Sequence, residues 1–571
     1  MKNETVIIQG KKMKQKKIPY GLSDFKRIKI ENYYYIDKTK YIEEIEEEAS
    51  FLFFLRPRRF GKSLTIAMLE AYYDIYYKSQ FNDIFKDTYI LENPTEEKNK
   101  YYILKFDFSA VDITDYKNSF KVNLIVVINN FIEKYNIEIS FEDTNPINRL
   151  NELLAKCKRL NLPIYILIDE YDNFVNKLLV SDMNLYEGLV TDKEAFYKEF
   201  FTMLKVGTSG NDSAIRKMFF TGVSPLALFD VTSGSNIGRN VSSSYKLNSL
   251  VGVTDVELKK MISYYNLEDK KEMIWSRCKE WYNSYRFNED VEETIYNSDM
   301  ILYYLDHIIH KGKEPKELID VNVRTDYSKL KYLVYTNKRL NGNFDLLNQL
   351  IQNEKVTVTH IKDNFSAFEM LEPENFQSFL FALGFVTIAP YRVGLDISIP
   401  NQTIKKIVAD FIYSAYKDID FTIKLQKFNN HILDFAYEKD LELFRYLNEE
   451  VKAQSCIRDY IDGENFIKGF LIAYLSLNPY YEVRSEFEIN KGYSDITLNP
   501  IKKEIPYGAI IELKYIPKGK YSERLKKQKI EEAKKQLTQY DPKTVNSLAN
   551  VEFVKIVLVY KGWELVYCEE G

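Results

Sequence analysis

The apolar run Phe51–Leu55 passes directly into Arg56-Pro57-Arg58-Arg59-Phe60-Gly61-Lys62-Ser63, and a helical stretch, Leu64–Tyr73, follows. A buried strand that turns through Gly-Lys-Ser into a helix aims backbone N–H groups and a helix N-terminus at one point. That is the layout of a phosphate-binding loop. Gly61 lets the backbone come close, Lys62 offers a point charge to β and γ phosphates, and Ser63 offers a hydroxyl to magnesium. The candidate nucleotide contacts are therefore Arg58, Arg59, Phe60, Gly61, Lys62, Ser63 and Leu64. The usual eight-residue loop opens on Gly, and here Arg56 holds that place. Arg58 and Arg59 either reach phosphate or cap the loop by pairing with carboxylates.

A second apolar run, Ile164–Ile168, ends in Asp169-Glu170. A strand apolar at every position is one buried on both faces, as in a parallel sheet. Asp169 is placed to hold magnesium through water, and Glu170 to polarise the water that attacks ATP. The run Lys217–Thr221 would bring Thr221 beside that water. Arg216 and Arg239 are candidate stabilisers of γ-phosphate charge, in cis or from a neighbouring subunit, so a homo-oligomer stays open. The strand candidates Phe51–Leu55, Tyr102–Phe108, Ile164–Ile168 and Lys217–Thr221 alternate with helical stretches such as Lys121–Tyr135 and Lys193–Lys205. This alternation predicts an α/β fold, a parallel sheet covered on both faces with its ligand at the C-terminal edge.

With 571 residues the chain exceeds one core, and several domains are expected. The succession of apolar runs and helical stretches places them at 18–245 (phosphate-loop sheet), 246–340 (helical), 341–425 and 426–571. In the third, a helix at Glu374–Leu383 followed by strands at Gly384–Ile388 and Asp396–Ile399, joined through Ala389–Leu395, is compatible with a winged helix. In the last, Tyr481–Ile489, Ser494–Leu498 and Tyr507–Tyr515 read as strands, Ser522–Tyr540 as a basic helix, and Val551–Tyr560 and Trp563–Tyr567 as closing strands.

That last region carries a second constellation. Ile510–Lys514 is an apolar strand ending in Glu512-x-Lys514, which puts both side chains on one face, and Asp495 on the neighbouring strand can meet Glu512 across the sheet. Two hard carboxylates suit magnesium with several waters retained. The metal would lower the pKa of a water and stabilise charge on a phosphodiester, with Lys514 orienting that water. The same pattern describes a cross-strand ion pair at a sheet edge. Glu486 and Glu464 are candidates for a further acidic ligand, Glu486 being preferred because its strand adjoins that of Asp495. From Lys514 through Lys535 nine Lys/Arg face three Glu, a local basic surface suited to a nucleic-acid backbone.

The net charge of −4 gives no overall nucleic-acid signature, so any basic surface is local. Cys157, Cys278, Cys456 and Cys568 lack metal or redox spacing, which fits reduced thiols in a cytoplasmic protein. No apolar stretch reaches the ~18–20 residues of a membrane span, and no apolar segment follows Lys11–Lys17 as in a signal peptide. The tail is expected to be unstructured up to Pro19.

Several segments resemble one family in order: Ile18–Phe25, Tyr34–Thr39, Arg56–Ser63, Phe220–Pro225, Ser233–Ile237, Trp281–Phe287 and Tyr296-Asn297. The chain resembles the bacterial AAA-ATPase-like family, in which the ATPase module is commonly joined to a C-terminal PD-(D/E)xK nuclease-like domain. Tyr481–Leu498, Ala509–Tyr515, Ala533 and Gln536–Tyr540 are similar to that second domain. The arginine-rich loop is usual in the family, so Arg56 fits it. Relatives commonly carry Gly-Arg before the aspartate, where this chain has Gly492-Tyr493-Ser494-Asp495. The resemblance implies ATP and Mg²⁺ as cofactors; the local basic surface beside the carboxylates makes nucleic acid, DNA more than RNA, the expected partner. The leading expectation is an ATPase controlling a magnesium-dependent nuclease. The alternatives are a regulatory ATPase whose C-terminal domain binds nucleic acid or protein without cleavage, and a winged-helix regulator using residues 374–400.

Overall fold

The structure, a computed structural model, describes residues 5–8, 11–181, 183–190, 196–210, 212–225, 238–320, 323, 335–336, 339–340, 342–353, 355–369, 372–389, 395–417, 425–453, 463–489, 492–502, 504–541, 545 and 551–571. Cys456, the segment Ser233–Ile237, the start of the Lys193–Lys205 stretch and residues 390–394 of the Ala389–Leu395 connection lie outside the described residues. The chain divides into two compact units, Met1–Thr325 with Val358–Leu395, and Asp326–Thr357 with Asp396–Gly571.

The first unit is built on β1 (Phe51–Leu55), β2 (Tyr102–Asp107), β3 (Ile164–Asp169), β4 (Ile215–Gly222) and β5 (Arg239–Asn240). They lie in the order β2-β3-β4-β1-β5 with every neighbouring pair parallel. Parallel neighbours require crossovers, and helices α1 (Lys62–Tyr73), α2 (Tyr116–Tyr135), α3 (Pro146–Arg159) and α4 (Phe196–Gly207) lie in them. In α3, Pro146 opens the helix behind the Asn145 cap, and Leu150, Leu153, Leu154 and Cys157 form the buried stripe. Every residue of β3 is buried. The rings of Phe108, Phe120, Phe174, Tyr197 and Phe200 pack edge-on or tilted around one another. Each such buried ring contributes about 1.5–3 kcal/mol.

β4 separates the strand that feeds the phosphate loop from the strand that ends in the acid pair. At adjacent-strand spacing, the ends of β1 and β3 are about 10 Å apart across it. Its register pairs Phe54 with Thr221 on one side and Ile168 with Phe220 on the other. Thr221 therefore falls between the loop and the acids.

The second unit holds helix α6 (Glu464–Ser476), strands β6 (Tyr481–Ile489), β7 (Gly492–Pro500) and β8 (Tyr507–Ile516), helix α7 (Glu523–Leu537), and strands β9 (Glu552–Lys561) and β10 (Glu564–Glu570). The sheet order is β6-β7-β8-β9-β10, antiparallel except for the β8/β9 pair, whose crossover contains α7. Ala533, Leu537 and Tyr540 close over Ile489, Ile510, Ile516, Val557 and Val559 to make its core.

One expectation is corrected at the N-terminus. Thr5–Ile8 and Lys11–Lys14 pair as antiparallel strands where an unstructured tail was expected. The β-branched run Thr5-Val6-Ile7-Ile8 supplies a strand propensity that the lysines obscure. Among the described residues no helix is long and apolar enough to cross a membrane.

Candidate functional site

Gly61 caps α1 with φ 101° and ψ 20°, a left-handed geometry that glycine adopts without a Cβ penalty. The amide of Thr65 bonds back to the Gly61 carbonyl at 3.0 Å. The amides of Lys62, Ser63 and Leu64 precede it and find no acceptor inside the helix. Lys62 is 5% exposed, and its Nζ donates to the carbonyls of Arg56 at 2.9 Å and Pro57 at 3.0 Å. Burial pulls its pKa down, while the charges of Glu170, Asp169 and Asp172 act against that shift. The ammonium is thus held at the mouth of the loop with three carboxylates in its field.

Asp169 and Asp172 are fixed from β4 and the loop after it, while the Glu170 carboxylate accepts the Asn173 side chain. Thr221 Oγ1 donates to Asp169 Oδ1 at 2.5 Å, and the Tyr171 amide bonds the Thr221 carbonyl at 3.0 Å. Glu170 sits at φ 50°, a left-handed conformation that costs a non-glycine residue. Burial raises its carboxyl pKa, and Lys62 is the first charge opposing this. Asp172 is 1% exposed. It accepts the amides of Val223 at 3.1 Å and Ser224 at 2.7 Å and the Asn176 side chain at 2.5 Å. This straps the loop after β4 to the loop after β3.

The rest of the arginine-rich loop is anchored elsewhere. Arg56 is buried, donates to the carbonyls of Leu55 at 2.9 Å, Ser242 at 2.5 Å and Leu247 at 3.3 Å, and stacks on Phe54 and Phe287. Burial lowers its pKa to about 9. Arg59 (φ 68°) pairs with Asp299 at 2.6 Å, in the first turn of α5 (Ser298–Lys311). Phe60 packs edge-on against Tyr285 and Phe287, and Ser298 Oγ donates to its carbonyl at 2.9 Å. The Arg58 carbonyl accepts Asn297 Nδ2 at 3.4 Å. Ser63 and Leu64 are half-buried on the first turn of α1.

Arg216 and Arg239 do not reach the loop within their own chain. Arg216 precedes Thr221 by five residues of parallel strand, about 17 Å. Arg239 pairs in register with Leu52 and forms an ion pair with Glu48 at 3.0 Å. Both stand toward the opposite edge of the sheet, because strand polarity fixes which end a residue occupies. Lys38 is likewise structural. It bonds the Ser249 carbonyl at 2.9 Å and Glu257 at 2.8 Å.

In the second unit the β7/β8 register Ile496↔Ile511, Thr497↔Ile510, Leu498↔Ala509, extended by one residue, sets Asp495 opposite Glu512. Glu512 is 1% exposed. Its Oε1 lies 2.8 Å from the Tyr540 hydroxyl and its Oε2 accepts Lys514 Nζ at 3.0 Å. Burial, then the Asp495 charge, push its pKa up to about 7. Asp495 Oδ2 accepts the Leu513 amide at 2.8 Å and lies 3.9 Å from Lys514 Nζ. Burial works against the Lys514 ammonium, but Glu512 and Asp495 outweigh it and the net shift is upward. A Cβ on Gly492 would lie 2.8 Å from the Tyr540 ring, so glycine there admits the ring that carries the hydroxyl to Glu512. Lys468, on α6, contacts Glu486 and lies 3.5 Å from Asp495 Oδ1. Burial raises Glu464, with Asp495 adding to the effect. Glu464, Glu486, Asp495 and Glu512 thus outnumber Lys468 and Lys514, a charge deficit that fits a hard divalent cation. Among the described residues no group of three or more His, Cys, Asp or Glu is arranged to hold a metal. A cation here would rest on the Asp495–Glu512 pair and keep most of its waters.

Residues 19–232 match the family model described as a predicted AAA-ATPase, and residues 462–570 match that of the PD-(D/E)XK nuclease superfamily. The chain joins an AAA-ATPase-like domain to a PD-(D/E)XK nuclease-superfamily domain. An uncharacterized protein in the vnfD 5' region of Azotobacter chroococcum mcd 1 is 22% identical over 296 residues, covering 51% of this chain and 52% of that protein. The chain therefore spans about half the length of this curated relative. Among solved structures, Cdc6p from Pyrobaculum aerophilum is similar at 11% identity, covering 66% of this chain and 94% of that one with a TM-score of 0.27. The Aeropyrum pernix ORC2 protein in its ADP form is 13% identical, covering 68% and 98%, with a TM-score of 0.28.

Sequence reasoning missed three residues in these domains. Asp172 was legible as a further acid just past Asp169-Glu170. Arg56 was noted only as a departure from glycine. Lys468 carried the clearest signal, a lone charge inside Phe466–Ser476, otherwise without charge.

Proposed function

We propose that the AAA-ATPase-like domain binds and hydrolyses ATP, and that the nuclease-superfamily domain cleaves phosphodiester bonds of a nucleic acid under its control. One observation carries the ATPase reading: Asp169, bonded to Thr221, and Glu170 stand one strand away from the loop that holds Lys62. Lys62 and the amides of Ser63 and Leu64 would receive the phosphates, with Ser63 and Asp169 holding magnesium. Glu170, whose raised pKa makes it a better proton acceptor, takes the proton of the attacking water. Arg59 and Phe60 set the loop's shape through Asp299 and Tyr285.

For the second domain the support is the convergence of Asp495, Glu512 and Lys514. Magnesium bound there would acidify a water and screen phosphate charge. Asp495 and Glu512 would hold the ion and Lys514 would orient the water, while the Tyr540 hydroxyl keeps Glu512 in place. Lysines on α7 are suited to the nucleic-acid backbone.

The full chain should hydrolyse ATP and nick nucleic acid in Mg²⁺. Glu170→Gln should lower ATP turnover at least 10²-fold with binding of a fluorescent ATP analogue retained. Asp495→Asn should abolish nicking alone. Nicking that survives Asp495→Asn refutes the second assignment. A reading in which the domain binds without cutting is favoured by one observation, that both Asp495 and Glu512 are already partnered by lysines. Retention of nucleic acid on a filter with no cleavage in Mg²⁺ or Mn²⁺ would select it.

A further inference from the structure

Helix α6 is buried from Phe466 to Ser476, and Lys468 is the one charged side chain in that span. Its side chain is 8% exposed. A buried ammonium is tolerated only where carboxylates surround it, and here they are Glu486 and Asp495. The backbone supports this contact. Ladder pairs between β6 and β7 stop at Ser485↔Ile496 and resume at Phe487↔Ser494. The skipped residue, Glu486, stands across from Asp495 and adopts φ 50°. A strained, left-handed glutamate and a buried lysine thus meet at Asp495, one carboxylate of the Asp495–Glu512 pair. Glu512, the other member, has its own ammonium in Lys514.

We propose that Lys468 is an internal counter-ion that sets the cation affinity of the Asp495–Glu512 pair. It holds Asp495 Oδ1 in the cation-free chain and withdraws onto Glu486 when a divalent cation takes Asp495. Glu486 is then the dock of the lysine and not a metal ligand. Lys468 is a positioning residue, acting through Asp495. This inference rests on the reading of Asp495 and Glu512 as a cation site.

The test is a Mn²⁺ titration of the full chain followed by electron paramagnetic resonance, without ATP or nucleic acid. Asp495→Asn identifies the part of the signal that belongs to this site. Lys468→Met should tighten Asp495-dependent Mn²⁺ binding at least tenfold, a gain that mere loss of packing would not give. Lys468→Met combined with Glu486→Gln should bind as tightly as Lys468→Met alone, and it removes the unpaired glutamate should the single variant fold poorly. Equal or weaker binding in both variants overturns the proposal while leaving the cation site intact. A tenfold loss on adding Glu486→Gln overturns it too, because Glu486 would then be a ligand. If wild type and variants show no Asp495-dependent Mn²⁺ signal, the cation-site reading fails and the proposal falls with it.

Discussion

Replacing Glu512 by glutamine should stabilise the nuclease-superfamily domain. The carboxyl is 1% exposed, and its pKa rises from 4.5 to about 7 through burial and the Asp495 charge, net of the help from Lys514 and Tyr540. Below pH 4.5 folded and unfolded chains both carry the proton, and the group adds nothing to either. Between 4.5 and about 7 the unfolded chain ionises first, so rising pH favours unfolding. Above about 7 the whole penalty is present, about 3 kcal/mol. Glutamine resembles the protonated acid and escapes it. Hydrogen exchange of peptides from β8 and α6 in the full chain isolates this domain from the other. At pH 8 exchange through global opening should be roughly 10²-fold slower in Glu512→Gln than in wild type, and the difference should vanish near pH 4.5. Equal or faster exchange at pH 8 would refute the argument, because Lys514 and Tyr540 would then be stabilising the charge fully.

Two further outcomes concern the ATPase-like domain. Asp172→Asn keeps the shape but loses the charge and one acceptor, and should cost about 2–4 kcal/mol; faster exchange of the amides of Val223 and Ser224 would report it. Arg239→Ala removes an ion pair whose arginine side chain is 66% exposed; stability should change by less than about 0.5 kcal/mol and the ATP turnover not at all, and a tenfold fall in turnover would contradict its placement away from the loop.

Much of the fold was legible because buried parallel strands leave an unbroken apolar signature. Phe51–Leu55 coincides with β1, Ile164–Ile168 lies within β3 and Lys217–Thr221 lies within β4, whereas the antiparallel edge strand β6, which carries charges, coincides with Tyr481–Ile489 without that signature. What the pattern cannot carry is lateral order. Nothing local to Lys217–Thr221 states that it inserts between β1 and β3, although that insertion is what brings Thr221 to Asp169. Edge position is hidden in the same way, since Arg239 reads as a candidate for γ-phosphate in cis or from a neighbouring subunit until pairing with Leu52 shows which edge of its own sheet it occupies. Asp495 and Glu512 were named from side-chain type, spacing and family resemblance, none of which points to the long-range partner Lys468. Arg56 stood out only as a departure from glycine, because its acceptors are main-chain carbonyls, which any residue supplies.

The anchoring of Arg56 bears on how this protein can be cut into pieces. A recombinant fragment stopped at residue 232, where the ATPase family match ends, would contain Gly61 and Lys62 yet lack Ser242, Leu247 and Phe287, and with them most of what holds the guanidinium. It would also lack Ser298 and Asp299, which fasten Phe60 and Arg59. Such a truncation leaves a charge in an apolar shell with few acceptors. The shortest span that preserves the shape of the Arg56–Ser63 loop therefore extends at least into α5.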